Sequence, residues 1–580
     1  MRTACWLPLA ALALVGPLSA PAHAQWQPGG TVVASSVYFD DPYTVVAVPD
    51  GRAGALTLAQ EFGASGFRHE VERVGPDGSI PPGWPSTALE ASHVSSGLAA
   101  DGTGGVYVGR VRQGPAASQI VVHHLLADGS LDPTWPAGGR IVADIPGFQG
   151  CQLAPDGSGG VYVAFSSGTD QGSLLGVLRL DATGAASTGW PAQGVTVLQS
   201  GEMIIFSNAQ ATATGLFLAG YLSPTYPSAQ PHDAFFGHVS ASGAIPAGWG
   251  SGTIAVPYPV SLAEPPTYSP DTSGGLYYSW SDGRVGRLVH VLGDASPDPG
   301  WPVRGLALLA DTTRYQFLFK PVSDGAGGCF ARFDYDSAGT NISLVYRLVH
   351  ITANATPEPG WPSLGGPLPY IGNGLIYGDI VPDGNGGAYV TWFQEETSTS
   401  INGYKYLRAH HVAAGGVTAP YWPASGLTLA SGDGARLSTR MVTDGHGGAI
   451  ALWKDTRPDL APANDAVLLA LGFGPDGSFT TSVDHRQLLI VGGLRASPVP
   501  SRGVTRLAFT LAQASAVRLD VLDLSGRRVR HVFEGSLAPG PHSVVWDGLD
   551  DAGRPLPAGV YLGHANGSGV ACATRLVRMR

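Results

Sequence analysis

Charged residues are scarce in this chain. They make up 13% of its 580 residues, and no block of like charge is present. The formal net charge of −11 is the opposite of the clustered basic surface that nucleic acid requires, so we expect no nucleic-acid partner. Cysteine is also rare. Beyond the N-terminal segment only Cys151, Cys329 and Cys572 remain, an odd number at wide spacing, which does not predict a disulfide framework.

Helical periodicity and catalytic signatures are missing as well. No long window has the apolar spacing of an amphipathic helix. The sequence contains no G-x-S-x-G elbow, P-loop, H-E-x-x-H motif, cysteine pair or dinucleotide fingerprint, so no catalytic residue, cofactor or metal site is predicted. The question of enzymatic activity stays open, with a non-enzymatic role favoured.

Glycine, proline and short apolar runs are what the chain has in abundance. It contains 82 glycines and 46 prolines, and 44% of its residues are hydrophobic. Strand-length apolar runs separated by turn-forming residues predict an all-β fold with a large core.

The first 24 residues predict a secretory signal peptide. Arg2 provides a basic start, residues 6–18 form an apolar run, and Ala22-His23-Ala24 is a small-residue cleavage site, with cleavage after Ala24. The run is too short and too interrupted by proline to span a bilayer, and no second stretch is apolar enough. We therefore expect a secreted or outer-cell-surface protein without a transmembrane segment in the mature chain.

Two landmarks recur along residues 25–492, at intervals of about 50 to 60 residues, the period of a propeller blade. The first is D-G-x-G-G before an apolar strand, with copies at Asp101, Asp156, Asp324, Asp383 and Asp444, weaker copies at Asp50 and Asp271, and a worn copy at Ala211. The second is a tryptophan, usually followed by proline, at Trp84, Trp135, Trp190, Trp249, Trp301, Trp361 and Trp422.

Both landmarks have a local structural explanation. Aspartate bonds to its own backbone in a turn, glycine accepts positive φ, and tryptophan is large enough to fill the wedge between neighbouring sheets. One unit then contains four strands. An inner strand ends at the D-G turn, a second follows the glycine pair, a third ends at another turn, and a fourth follows the Trp-Pro loop.

The count of landmarks predicts how the repeat closes. The last unit, from Met441, lacks its tryptophan loop, and Trp26-Gln-Pro-Gly-Gly matches the pattern of Trp135-Pro-Ala-Gly-Gly. An N-terminal strand would therefore complete the final sheet. This favours an eight-bladed β-propeller closed by an N-terminal strand, with seven blades as the alternative if the worn copy near Ala211 is not a unit.

The repeat resembles known bacterial families. LADGSLDPTWPAGGRIV resembles the delta-60-type tandem repeat, and the D-G-x-G-G half resembles the NHL-type propeller unit. These resemblances cover the propeller region and imply a fold; they carry no function.

Residues 493–580 predict a separate, small Ig-like β-sandwich. Apolar residues alternate at Leu507, Phe509 and Leu511 and again at Val517, Leu519 and Val521. The motifs around Asp523, Trp546-Asp547-Gly548 and Gly559-Val560-Tyr561 resemble the Ig-like domain of flagellar hook-capping proteins and the sorting domain of type IX secretion substrates. That resemblance implies surface delivery or attachment, with secretion machinery as a partner. Asp547, Asp550 and Asp551 are expected to form a hairpin turn; a cation site is the alternative.

A repeated W-x-D-x-R is the candidate ligand-binding feature. Its residues are Trp280, Asp282, Arg284, Trp453, Asp455 and Arg457. In one interpretation tryptophan and arginine on a rim grip a polar ligand such as a glycan. In the other, Asp and Arg form an ion pair that pins the loop. The polar loops at residues 394–405 and 221–232 would provide a variable contact surface.

Three functions are consistent with these features. The first is a secreted or cell-surface propeller that binds a protein or glycan and is delivered or anchored by its Ig-like domain. The second is an extracellular polysaccharide hydrolase or lyase on a propeller scaffold, and the third is a structural envelope component.

Overall fold

All regular structure in the described part of the chain is β-strand. The computed structural model describes residues 26, 29–37, 45–63, 66–86, 89–91, 97–113, 117–145, 147–169, 172–223, 233–249, 254–255, 267–281, 285–309, 313, 315–336, 344–369, 375–394, 406–431, 436–457, 466–479, 490–511, 515–523, 527–538, 540–567 and 570–579. Within these residues no helix has the length and apolar character needed to cross a membrane. The chain divides into two compact units, Met1–Ser482 and Val483–Arg580.

The described residues of the first unit form 32 strands. They are β1 Thr31–Val37, β2 Ala47–Pro49, β3 Ala55–Gly63, β4 Gly66–Val74, β5 Leu89–Ala91, β6 Gly97–Ala100, β7 Val106–Gln113, β8 Ser118–Leu125, β9 Arg140–Ile145, β10 Phe148–Pro155, β11 Val161–Thr169, β12 Gly172–Leu180, β13 Val195–Ser200, β14 Met203–Thr212, β15 Gly215–Ser223, β16 Asp233–Ser240, β17 Ile254–Ala255, β18 Thr267–Pro270, β19 Leu276–Ser281, β20 Gly286–Val291, β21 Gln316–Ser323, β22 Cys329–Asp336, β23 Leu344–Ile351, β24 Gly366–Pro367, β25 Leu375–Pro382, β26 Ala388–Gln394, β27 Tyr406–Ala413, β28 Val417–Thr418, β29 Leu427–Ala430, β30 Arg436–Thr443, β31 Ala449–Asp455 and β32 Ala466–Phe473.

The second unit contains seven strands. They are β33 Ile490–Ser497, β34 Thr505–Leu511, β35 Ser515–Leu522, β36 Arg528–Leu537, β37 Gly540–Trp546, β38 Gly559–Gly567 and β39 Val570–Arg578. The boundary predicted between residues 492 and 493 falls inside β33, because Ile490 and Val491 already pair with Leu511 and Thr510 of β34.

The repeat of the first unit folds into eight antiparallel sheets. In strand order, sheet 1 is β2-β3-β4-β5, sheet 2 is β6-β7-β8-β9, sheet 3 is β10-β11-β12-β13, sheet 4 is β14-β15-β16-β17, sheet 5 is β18-β19-β20, sheet 6 is β21-β22-β23-β24, sheet 7 is β25-β26-β27-β28 with β29 also on β27, and sheet 8 is β30-β31-β32-β1. The worn copy near Ala211 forms the turn between β14 and β15, since Thr212 pairs with Gly215. The eight-unit count is confirmed, and the seven-unit alternative is wrong.

The first strand of each sheet contacts the first strand of the next. These contacts join β2 to β6, β6 to β10, β10 to β14, β14 to β18, β18 to β21, β21 to β25, β25 to β30 and β30 to β2. The eight sheets thus follow one another as the blades of a propeller do, with their first strands innermost.

The predicted pairing of the N-terminal strand with the last repeat is confirmed. β1 pairs antiparallel with β32, with Thr31 opposite Ala470 and Val37 opposite Ala466. All eight residues of β32 are buried, so without β1 a long apolar strand would form the outer edge of sheet 8.

Apolar side chains fill the spaces between successive sheets. One cluster joins sheets 2 and 3 and contains Ala99, Tyr107, Ile120, Val122, Trp135, Cys151, Leu153, Val161 and Val163. Alternate residues of one strand serve opposite clusters, because successive side chains of a strand point to opposite faces. In sheet 3, Val161 and Val163 pack toward sheet 2, while Tyr162 and Ala164 pack toward sheet 4.

The second unit is a sandwich of two sheets, β33-β34-β37 and β36-β35-β38-β39. Its own core contains Leu494, Leu507, Phe509, Val517, Leu519, Val521, Val529, Trp546, Tyr561, Ala565 and Leu576. The predicted alternation in β34 and β35 therefore does direct apolar side chains to a common core.

Candidate functional site

Each D-G turn is organised by its own aspartate. In sheet 2, Asp101 Oδ1 accepts hydrogen bonds from the N–H groups of Thr103 (2.6 Å) and Gly105 (2.9 Å), and Gly102 has a φ of 79°. Glycine tolerates that φ without strain, which explains the D-G pair. The equivalent two bonds are made by Asp50, Asp156, Asp271, Asp324, Asp383 and Asp444.

The second oxygen of the turn aspartate faces a histidine or arginine side chain on the third strand. Asp101 Oδ2 lies 3.1 Å from His124 Nε2, and His124 Nδ1 lies 2.8 Å from Asp132 Oδ2. The pairing recurs as His290 with Asp271 and Asp298, His350 with Asp324, His411 with Asp383, Arg73 with Asp50 and Arg179 with Asp156.

The electrostatics of this cluster favour the charged forms of His124 and Asp101. Burial lowers the pKa of His124, but hydrogen bonds and charges from Asp101 and Asp132 outweigh burial and leave that pKa raised. Burial raises the pKa of Asp101, and hydrogen bonds from His124, Thr103 and Gly105 outweigh it, bringing the pKa to about 2. Each ring nitrogen of His124 lies against a carboxylate, so the ring is held in place by the turn and the loop of its own sheet.

Aromatic rings complete the cluster and connect neighbouring sheets. The His124 ring stacks on Tyr107 at 4.4 Å, with Trp135 at 5.8 Å. The Tyr107 hydroxyl donates to the carbonyl of Gly159 in the D-G-x-G-G turn of sheet 3. The cluster of one sheet is thereby bonded to the turn of the next.

The loop tryptophans make the same kind of connection. Seven tryptophans donate the indole N–H to a backbone carbonyl of the next sheet: Trp26 to Pro76, Trp84 to Ala127, Trp135 to Ala182, Trp190 to Ala241, Trp249 to Gly293, Trp301 to Ala353 and Trp422 to Pro475. Trp26 occupies the same role for sheets 8 and 1 that Trp135 has for sheets 2 and 3. These contacts match the structural interpretation of the landmarks.

The second copy of W-x-D-x-R is a buried ion pair. Asp455 is 0% exposed, and its Oδ2 accepts from Trp453 Nε1 (3.2 Å) and Arg457 Nε (3.0 Å). Arg457 Nη2 also donates to the carbonyl of Gly29 (3.1 Å), next to the N-terminal strand. This geometry is the loop-pinning ion pair that the sequence left as one of two interpretations.

The tryptophans of both copies lie within the packing between sheets, not on a rim. Trp453 is 0% and Trp280 is 4% exposed. Each comes nine residues after the aspartate of its D-G turn, as does Trp392, which is also 0% exposed. At that position the second strand directs its side chain toward the neighbouring sheet, and the sequence pattern did not reveal this direction.

The rest of the candidate surface lies outside the described residues. This applies to Asp282 and Arg284 of the first copy, to residues 224–232 of one predicted loop and to residues 395–405 of the other. Among the described residues, no group of three or more His, Cys, Asp or Glu is placed to hold a metal ion.

Sequence reasoning missed a charged group on the first strands. Lys320 of β21 forms an ion pair with Asp379 of β25 and donates to the carbonyl of Gly378 (3.2 Å). The other oxygen of Asp379 accepts from the backbone N–H of Met441 in β30 (2.9 Å). The sequence did contain a signal for this group, because Lys320 and Asp379 are the charged residues of strands β21 and β25, whose other residues are uncharged.

In the Ig-like unit the three aspartates of the predicted hairpin are engaged in turns. Asp547 Oδ1 accepts from the N–H of Leu549, and Asp550 Oδ1 accepts from those of Ala552 and Arg554. Asp551 Oδ1 accepts from the N–H of His531. These bonds match the hairpin interpretation.

One family match covers part of the chain. Residues 497–568 match the family described as FlgD Ig-like domain. A FlgD Ig-like domain is therefore present at the C-terminal end, in the unit with the sandwich fold.

Three further similarities of the chain are weaker. A 6-phosphogluconolactonase of Mesorhizobium japonicum is 32% identical over 114 residues, which cover 17% of this chain and 48% of that protein. A polysaccharide lyase, an ulvan lyase solved with bound sugar, is 11% identical with a TM-score of 0.41, covering 79% of this chain and 97% of the other. Prolyl oligopeptidase B from Galerina marginata is 10% identical with a TM-score of 0.37, covering 71% and 55%. The chain spans about half the length of the lactonase and of the oligopeptidase, and similarity at these TM-scores does not identify a function.

Proposed function

We propose that this chain is an exported binding protein of the outer cell surface or its surroundings. Its propeller binds a protein or glycan, and its Ig-like domain delivers or anchors it. The observation that carries the proposal is the FlgD Ig-like domain at residues 497–568. The resemblance of this region to hook-capping and type IX sorting domains implies delivery to the cell surface or attachment there. The predicted signal peptide at residues 1–24 is part of the same proposal.

The bonding of the propeller supports a scaffold role for the repeat. The turn aspartates, third-strand cations and loop tryptophans bond to one another and to the next sheet, as Asp101, His124 and Trp135 do. A delta-60 or NHL-type repeat used in this way provides rigidity. Ligand contacts would come from side chains that vary between blades. Of the two W-x-D-x-R copies, Arg457 is the described residue whose side chain is partly exposed and can take part.

The delivery role is tested by truncation. A chain ending at Ser482 removes the second unit without dividing β33 between two products. We expect the full chain to be found on the cell surface by protease accessibility and the truncated chain to be lost from it. Equal surface amounts of the two folded proteins would refute delivery or anchoring by this domain.

The binding role is tested by retention on immobilised envelope polysaccharides and surface proteins, with the same panel assayed for chain cleavage. We expect retention without cleavage. An Arg457→Ala variant separates the two interpretations of its motif, because a loop-pinning arginine affects thermal stability and a ligand-gripping one affects retention. Depolymerisation of a polysaccharide by the wild type would replace the binding proposal with the enzymatic one.

A further inference from the structure

Charged residues within the first strands of the eight sheets are confined to three adjacent strands. β2, β6, β10, β14 and β18 contain no Asp, Glu, Lys or Arg. The next three first strands contain four: Lys320 in β21, Asp379 in β25, and Arg436 and Arg440 in β30. A chain with a net charge of −11 thus places three cationic residues and one anionic residue on three adjacent blades of its innermost layer.

The described members of this group are close together and differ in how far their charges are satisfied. Lys320 and Asp379 neutralise each other, with side chains 34% and 10% exposed. Arg440 is exposed, although it lies on an innermost strand. Arg440 is near enough to Asp379 to affect its pKa. Burial raises the pKa of the Asp379 carboxyl, but the charges of Lys320 and Arg440 outweigh burial, and the pKa is lowered.

The backbone around this group is irregular in each of the three strands. β21, β25 and β30 each have a register shift, between Phe319 and Val322, Tyr377 and Ile380, and Leu437 and Thr439. Lys320 has a φ of 48° and Ser438 a φ of 43°, values that non-glycine residues adopt at an energetic cost. Bulges and strained residues of this kind are concentrated near binding sites.

An unsatisfied hydroxyl lies in the same group. Thr439 packs against Gly378, whose carbonyl accepts from Lys320. Thr439 is 3% exposed, and its Oγ1 has no hydrogen-bond partner among the described residues. This unpaired hydroxyl marks a place where the packing of the three strands is not fully satisfied, because unpaired buried polar atoms are unfavourable.

We infer that the exposed surface of β21, β25 and β30 binds the carboxylate of a small acidic ligand, with Arg440 as its main contact. The inference rests on the proposed binding function and names the chemistry that the ligand must carry. An arginine presents a planar pair of donors that matches a carboxylate. Asp379 competes for the same cations, so it sets how strongly the site attracts an anion. The recessed position of Asp379 and Lys320 suits a free acid or the end of an extended chain.

The test is calorimetric titration of the full chain with glucuronate, with glucose as the uncharged match and glutamate as the other source of a carboxylate. We expect glucuronate to bind more tightly than glucose, and salt to weaken binding. Arg440→Gln is expected to weaken binding about tenfold, and Arg440→Glu to abolish it. Asp379→Asn is expected to strengthen binding, because it removes the competing carboxylate.

Arg304→Gln is the control, because Arg304 is an exposed arginine in the loop after Trp301, away from the first strands. Arg440 is exposed, so its variants test the site even if Asp379→Asn does not fold.

The wild type could prefer glutamate over glucuronate and lose that preference in Arg440→Gln. This outcome would support the site and assign the carboxylate to a peptide source. Equal binding by wild type, Arg440→Gln and Arg440→Glu, or no binding of either acid, would overturn the inference. If Arg440→Glu is still retained on cell-surface material, the proposed function stands without this site.

Discussion

The third-strand position opposite the turn aspartate is occupied by histidine in some sheets and by arginine in others. Both side chains are flat and can carry a positive charge. His124 stacks on Tyr107 at 4.4 Å, and in the next sheet the Arg179 guanidinium lies 5.4 Å from the ring of Tyr162. Both side chains bond to the aspartate of their own D-G turn. The two residues differ in titration, because histidine loses its charge within the physiological range and arginine does not.

This difference predicts how stability depends on pH. The raised pKa of His124 contributes stability that is present below pH 6.5 and is lost as pH rises through the raised value. The lowered pKa of Asp101 contributes stability above pH 3.8 that is lost as pH falls toward about 2. We expect His124→Arg to reduce the fall in the free energy of unfolding between pH 6 and pH 9, and His124→Ala to lower that free energy by about 2 kcal/mol at pH 6.

Urea unfolding at the two pH values measures the effect, with His446→Gln as the control, since His446 bonds within its own turn. An unchanged pH profile in His124→Arg would show that His124 is not charged in the folded protein.

Turn chemistry at single residues could be predicted from the sequence, and side-chain direction could not. The pair His123-His124 illustrates this. Burial and the charges of Arg110 and Arg112 lower the pKa of His123 to about 4, while that of His124 is raised. Adjacent residues of a strand face opposite sheets, and only the register decides which of the two meets the aspartate. The burial of Trp453 could not be predicted for the same reason, because the sequence does not give the register of its strand.

Among the elements, β1 connects the two ends of the propeller unit. Its pairing with β32 was predictable because the Trp26 segment repeats the pattern of the Trp135 segment. The three-stranded form of sheet 5 was not predictable, since Trp301 and its proline follow the usual pattern. There the described residues after Trp301 pair with the sheet through an isolated bridge between Leu288 and Leu306, so local motifs do not determine how far the outer strand extends.

Removal of β1 is predicted to leave an open edge on sheet 8, to which the missing strand can bind again. A chain without residues 25–37 exposes β32, and we expect its Tm to fall by on the order of 10 °C and the protein to self-associate. A synthetic peptide of residues 25–37 added in trans is expected to restore both, because it supplies the missing strand. The readouts are thermal unfolding and size-exclusion chromatography. The same peptide with Trp26→Ala is the control, and equal rescue by the two peptides would contradict the role of the Trp26 indole.

At the scale of the molecule, the two units have separate cores. The sandwich core includes Leu507, Leu519 and Trp546 and no residue of the first unit. We therefore expect calorimetry of the full chain to show two unfolding transitions, one of which persists unchanged in a chain ending at Ser482. A single transition that disappears on truncation would show that the units unfold together.

The pairing of β1 with β32 has a consequence for synthesis. About 430 residues separate the two strands. Translation adds roughly 5–20 residues per second, so β32 is synthesised roughly 20 to 90 seconds after β1. Seven blades can form while the chain is still growing, whereas the eighth must wait. During that interval β1 is an unpaired apolar strand, and protecting it is a task for a chaperone.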